Sequence, residues 1–327
     1  MEDPFSFRSP QAEVKENAFR MQPVPPAAPP DGVRFSALGA RSERPTPNAK
    51  RQRVRWRAVR RSRSALIGLV MIAILLVLAA AGGLFAPYDP LAQSFMVQLQ
   101  GPSSAHLFGT DQFGRDIFSR VLYGARPALL AGLVANGIAT VCGVLMGLVA
   151  GFYGHWVDNL LMRITDVMLS FPYLLLALIV VSILGPGLTS AVVAIGIAYL
   201  PQFARLVRGA VLEVMGHQYM EAARALGVPA WQQMWRHVLR NVLGPITVMA
   251  TLTVGLAIAE TAGLSFLGLG AVPPAADWGA MLSDGREYML SAPWIATFPG
   301  AAILFTVLGF NLLGDGLRDV LDPKLRR

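Results

Sequence analysis

ALIGLVMIAILLVLAAAGGLFA, residues 65–86, is the stretch that decides the fold. It carries no charge from end to end, and Pro87-Tyr88-Asp89-Pro90 closes it. A helix needs about 20 apolar residues to cross ~30 Å of hydrocarbon. Working outward from it, residues 127–151, about 163–184, about 188–207, about 242–267 and about 295–314 form five more apolar runs. Gly185-Pro186-Gly187 is the turn between the third and fourth, and Gly143 and Gly147 in the second are spaced for close helix contact. Backbone groups in lipid must be satisfied internally, so these runs are helices. Strands of a membrane barrel alternate with period two, and these runs do not. The expected fold is all-α: a polytopic membrane protein with six transmembrane helices.

Composition agrees. The chain is 54% hydrophobic and only 15% charged, where a soluble domain has about 25% charged residues. The single cysteine, Cys142, excludes an intrachain disulfide and a cysteine metal cluster. Net charge is +8, and residues 1–64 hold 14 basic and 6 acidic residues, which is the whole excess. A basic segment just before the first span is a topology signal, not a nucleic-acid footprint, so no nucleic-acid partner is expected.

Residues 1–50 are proline-rich, without apolar periodicity, and are expected to be a disordered cytoplasmic tail. Residues 51–64 form a basic juxtamembrane segment and 65–87 the first span. Residues 88–126 are expected to be an extracytoplasmic loop with short helices. Residues 127–318 form a five-helix core with a cytoplasmic loop at 213–240, and 319–327 the C-terminus. With the N-terminus inside, 24 Lys and Arg fall in inside segments and 4 outside. Both termini are therefore expected in the cytoplasm.

The longest internal inside segment, residues 208–241, reads as two short helices. The first runs through Tyr219–Leu226 and stops at Gly227, with Pro229 two positions on. The second begins near Ala230, with Trp231, Met234, Trp235 and Val238 as an apolar stripe. Ala222 and Ala223 after Glu221 leave a shallow helix face suited to a partner's cleft.

Glu221-Ala222-Ala223, three residues and Gly227 resemble the cytoplasmic EAA loop of ABC importer permeases. The family continues after nine residues with Ile-x-Leu-Pro. Here His237-Val238-Leu239-Arg240 stands in that place: Leu239 matches, and Arg240 replaces the proline, which predicts a smoother run into the fifth span. FGTDQFGRDIFSRVLYGAR (108–126), GLSFLGLGAVPPAADWGAML (263–282) and FNLLGDGLRDVLDPKLR (310–326) also resemble the C-type permease subunit of dipeptide, oligopeptide and nickel ABC importers.

The resemblance covers about residues 65–327 and implies a type I importer permease fold in a bacterial inner membrane. The implied function is half of an alternating-access path for di- or oligopeptides. Nickel chelates, glutathione-like peptides and oligosaccharides are the alternative cargoes. The implied partners are a second, B-type permease, two ABC ATPase subunits, an extracytoplasmic binding protein and membrane lipid. Glu221, Ala222, Ala223, Gly227 and Leu239 are the implied ATPase-coupling residues. The alternative for Glu221 is an ion pair with Arg224 or Arg205 of this chain.

The chain itself is expected to hold no cofactor and no catalytic or metal site. A phosphate-binding P-loop needs Gly-Lys-Ser/Thr, and Lys15, Lys50 and Lys324 all lie outside that context. ATP and magnesium then belong to the partner ATPases. A membrane hydrolase is the different-class alternative, but Gly263-Leu264-Ser265-Phe266-Leu267 lacks the last glycine of a nucleophile elbow. No clustered histidines or carboxylates suggest a metal enzyme, and the arginines lie in loops, unlike a voltage sensor's.

Glu260, in the fifth span, is costly there and is a candidate pathway residue. It either contacts a substrate amine, or caps Thr261, or bonds a neighbouring helix. Asn136 and Asn311 are expected to make interhelical hydrogen bonds. In the outer loop, Asp116 and Arg120 are four apart and are expected to pair.

Overall fold

Ser62 opens the first helix by accepting from the Ala65 amide, and α1 runs over Arg63–Phe85. The computed structural model describes residues 62–321. The expected tail (1–50), nearly all of the basic segment (51–64) and the last residues of the C-terminus lie outside them. The described residues fold as helices joined by loops and one short 3-10 turn, Phe95–Val97.

After α1 come α2 (Ile117–Tyr153), α3 (His155–Leu169), α4 (Tyr173–Leu184) and α5 (Leu188–Met215). They are followed by α6 (Gln218–Ala225), α7 (Ala230–Phe266, including a π-helical stretch at Gln233–Val238), α8 (Trp278–Arg286) and α9 (Trp294–Leu321). Five of these, α1, α2, α5, α7 and α9, are long and apolar enough to cross a membrane, and α3 with α4, which pass the same test together, make a sixth when the bent pair is counted as one broken span.

The third expected span differs. Residues 163–184 are not one helix: α3 and α4 meet at a 94° bend over Ser170-Phe171-Pro172. Pro172 has no amide hydrogen to donate, and its ring pushes Phe171 out of helical geometry. The 12 residues of α4 alone reach only about 18 Å of the ~30 Å of hydrocarbon, so this crossing takes α3 and α4 together as one broken span. α3 is amphipathic and is held across α5 by ion pairs. Arg208 donates to Asp158 at 2.5 and 2.6 Å, and Arg205 to Asp166 at 2.6 Å.

α2 also departs from expectation. It starts at Ile117, ten residues before the apolar run, and so takes in part of the expected outer loop. Asp116 caps it by accepting from the Ser119 amide at 2.8 Å, and Pro127 is carried inside the helix.

Helices in lipid gain little from burying apolar side chains against one another, so close backbone approach holds them. Gly143, Gly147 and Gly151 form a row on α2 facing α5. A methyl at Gly147 would meet the Ala204 carbonyl, and one at Gly151 would lie 2.8 Å from Val211. Gly132 does the same against Ile258 of α7, and Gly68 of α1 against the α9 backbone. Asn136 of α2 donates to the Ala250 carbonyl of α7 at 3.1 Å, the expected interhelical bond. Among the described residues no such bond forms at Asn311.

Gly147→Val forces α2 away from α5. Overpacking of this kind costs ~1–3 kcal/mol. The variant should insert normally but show a lowered thermal midpoint in detergent, measured by size-exclusion recovery after heating.

Candidate coupling site

Met220 is the side chain that places this site. It is fully buried among Leu148 of α2, Val207 and Val211 of α5 and Val238 and Val242 of α7. It seats the short helix α6 on three long helices at once. Ala223, one turn on, faces the same way and is buried, so it is not part of the shallow outer face expected for it. Glu221, Ala222, Arg224 and Ala225 are exposed, and Leu226 is 83% exposed.

Gly227 ends α6 with φ +71°, a conformation that favours glycine. The Gly227 amide donates to the Arg224 carbonyl at 3.0 Å and the Val228 amide to Ala223 at 3.1 Å. Gln233, buried, donates its side-chain amide to the Val228 carbonyl at 2.7 Å and ties the turn to α7.

The second expected helix is not separate. It continues through the π stretch into the fifth span, with Arg240 exposed on an unbroken run. The expected stripe of Trp231, Met234, Trp235 and Val238 does not form one buried face. Trp231 and Trp235 are exposed, Met234 is half-buried and Val238 is buried. In a π helix the hydrogen bond spans five residues, not four. Gln233 and Val238, five apart, therefore share the inner face. Leu239 is half-buried and packs against the cluster around Met220.

The alternative pairing of Glu221 is not formed. Arg205 is taken by Asp166, and Arg224 points at the Met215 sulfur, 3.8 Å away. Among the described residues Glu221 has no ion pair.

A second polar group lies between spans. Glu260 of α7 is half-buried beside the Tyr173 phenol, and its helix neighbours Ala257 and Leu264 share one apolar cluster with Tyr199 of α5. The two tyrosine rings stack at 5.7 Å. Thr261 bonds its own helix at Ala257, so it is not capped by Glu260.

At the opposite end, Arg115 pairs with Asp111 at 2.6 Å and reaches Asp284 of α8 at 3.6 Å. The expected Asp116–Arg120 pair is absent. Asp116 is occupied by the α2 cap and by His106 at 2.9 Å, and Arg120 turns to Asp111 at 3.8 Å. Trp294 and Trp278 pin this end by donating to the carbonyls of Thr110 and Val121. Burial raises the Asp284 carboxyl above the usual carboxylate range, against the pull of Arg115. Burial raises Asp277 too, although the Ala280 amide it caps stabilises its charged form.

Met220, Gln233, Tyr173, Tyr199 and the α3–α5 ion pairs escaped the sequence reading. Aspartates eight apart on α3 and arginines three apart on α5 are the signal that marks the ion pairs. The π stretch leaves no such signal.

Residues 143–327 match the binding-protein-dependent transport system inner membrane component family. The chain belongs to that family. This permease also matches the N-terminal transmembrane domain of oligopeptide transport permease C over residues 52–102. It is 46% identical over 271 residues to the dipeptide transport system permease protein of Alkalihalophilus pseudofirmus, covering 83% of this chain and 89% of that protein. It is 45% identical over 272 residues to the glutathione transport system permease protein of Pectobacterium atrosepticum, covering 83% and 90%. Against a probable D,D-dipeptide transport system permease protein of Escherichia coli K12 it is 47% identical over 255 residues, covering 78% and 86%.

The fold is shared with the MetNI methionine ABC transporter solved in inward-facing form. The TM-score is 0.50 at 22% identity, over 62% of this chain and 96% of that one. The permease is thus a multi-pass protein of the bacterial inner membrane, in a family of transport subunits.

Met220→Ala leaves a cavity under α6. Such a truncation costs ~2–5 kcal/mol, and amide exchange over residues 216–228 should accelerate accordingly, read by hydrogen–deuterium exchange. Asp277 tests the other end. Its raised carboxyl contributes stability at low pH that is lost as pH rises through the folded value. Asp277→Asn keeps the cap without the charge, so its thermal midpoint should exceed the parent's most at alkaline pH. Asp277→Leu loses the cap, worth ~1 kcal/mol.

Proposed function

We propose that this permease forms half of the translocation path of an ATP-driven importer for di- and oligopeptides, working by alternating access. Its relatives named for dipeptide and glutathione transport, 45–47% identical over most of their length, support that cargo class. The observation that carries the mechanism is the build of α6: an exposed Glu221 without an ion pair, on a helix whose Met220 is clamped by α2, α5 and α7.

The excess of basic residues on one side puts α6 and both termini in the cytoplasm. There α6 docks in a cleft of an ABC ATPase, with Glu221 accepting hydrogen bonds and Ala222 allowing close approach. Gly227 sets the turn, and Ala223 and Leu239 hold the docked helix to the core. ATP and magnesium are held by two partner ATPases. A second, B-type permease supplies the other half of the path, and an extracytoplasmic binding protein delivers the cargo.

ATP binding draws the two ATPases together and pulls α6 with them. Because Met220 shares one apolar cluster with residues of three long helices, the pull moves them jointly and opens the path outward. Hydrolysis resets it inward. Glu260, between spans and not in lipid, lines the path.

Glu221→Lys reverses the docking charge, and Gly227→Val puts a branched residue at φ +71°. Each should abolish substrate-stimulated ATP hydrolysis by the assembled complex while membrane insertion stays at the parent level. Normal stimulation in both would remove α6 from the mechanism.

A further inference from the structure

Glu260 poses a charge problem. It stands in the interior of α7, six residues from its end, where a carboxylate does not face lipid. Among the described residues no arginine, lysine or histidine pairs with it. Its neighbours are two phenols, Tyr173 and Tyr199. Tyr199 is buried in the core shared by α2, α4, α5 and α7, so its ring is fixed. Tyr173 is different: it is 43% exposed and is the first residue of α4, directly after the 94° break.

A half-exposed carboxylate, one fixed ring and one accessible ring make a site for a cation. The carboxylate supplies the charge. The accessible Tyr173 ring presents a negative π face, which attracts an organic ammonium, and more strongly where water is scarce. A hydroxyl at the rim accepts a hydrogen bond from an N–H. The arrangement suits a primary ammonium on a carbon chain better than a bare metal ion, because only one carboxylate is present and no group of three ligating side chains surrounds it.

We propose that Glu260, Tyr173 and Tyr199 form a transient subsite for the terminal ammonium of the cargo at the break between α3 and α4. This rests on the peptide reading above, since a peptide carries that ammonium at neutral pH. Contact is weak by design: one charge and one ring, part-exposed, let the cargo leave again. Tyr173 touches the cargo through its ring and Glu260 through its charge, while the buried Tyr199 stacks behind Tyr173 and holds it in place.

The test uses the full complex in proteoliposomes, with its binding protein. Initial uptake of alanyl-alanine and ATP hydrolysis stimulated by the binding protein are measured together. Glu260→Gln keeps shape and hydrogen bonding but removes charge. Uptake should fall about tenfold while stimulated hydrolysis stays within about twofold, and Glu260→Asp should recover at least half of the uptake. Tyr173→Phe keeps the ring and should stay within about threefold of the parent, while Tyr173→Ala should match the Gln variant.

Parent-level uptake by Glu260→Gln overturns the subsite. So does a parallel loss of uptake and hydrolysis, which assigns Glu260 to helix packing or to pairing with the second permease. A fall of equal size for N-acetyl-alanyl-alanine overturns the amine assignment. Failure of the peptide reading itself shows elsewhere: the unsubstituted complex would hydrolyse ATP with its binding protein yet import no dipeptide.

Discussion

Apolar side chains gain nothing from leaving lipid for another helix, so a membrane bundle has to be held by something other than the hydrophobic effect. In this permease that is the approach of α2 to α5 along Gly143, Gly147 and Gly151. The contact brings backbone to backbone, where dispersion is collectively large, and leaves no room for lipid between the two helices. Everything else is placed relative to this pair. α7 crosses it through Gly132, and α3 is tied to it by Asp158 and Asp166. α6 is seated at its end by Met220.

The two ends of the bundle are built differently. At the end carrying Trp278 and Trp294, a dense set of hydrogen bonds and the Asp111–Arg115–Asp284 pairing bind loop, α2 and α8 into one body. At the α6 end the fastening is smaller: a methionine in an apolar cluster of valines and a leucine, and two side-chain hydrogen bonds from α7, Gln233 to the Val228 carbonyl and Asn241 to the Tyr219 hydroxyl. A dense polar network fixes geometry, whereas so few ties let a short helix rock while staying attached. That contrast fits a docking element at one end and a rim that keeps its shape at the other.

Much of this was legible in the sequence. Apolar runs of about 20 residues gave the spans because lipid leaves the backbone no alternative. Gly227 and Pro229 marked the end of α6 because only certain residues fit those backbone angles. Three readings failed, each for a local reason. Pro172 broke a run whose hydropathy was continuous, because hydropathy does not register a missing amide hydrogen. The stripe from Trp231 to Val238 assumed α periodicity, and the π stretch has another. Asp116 and Arg120 stood at pairing distance along a helix, but Asp116 was already used as a cap, a competition that spacing does not reveal. Glu260 was visible as an anomaly, yet its partners, 61 and 87 residues away in sequence, were not.

The unbroken course of α7 has a mechanical consequence. Ala230, beside the docking helix, and Glu260, beside the tyrosines, lie on the same helix. Thirty residues at 1.5 Å each separate them by about 45 Å. Over such an arm a tilt of about 5° shifts the far end by about 4 Å, more than the length of a hydrogen bond. Tyr173 and Tyr199 ride on other helices, so such a tilt moves the carboxylate relative to both rings. In the proposed mechanism one rod then times release to the engine stroke, with no relay of side chains between the two ends.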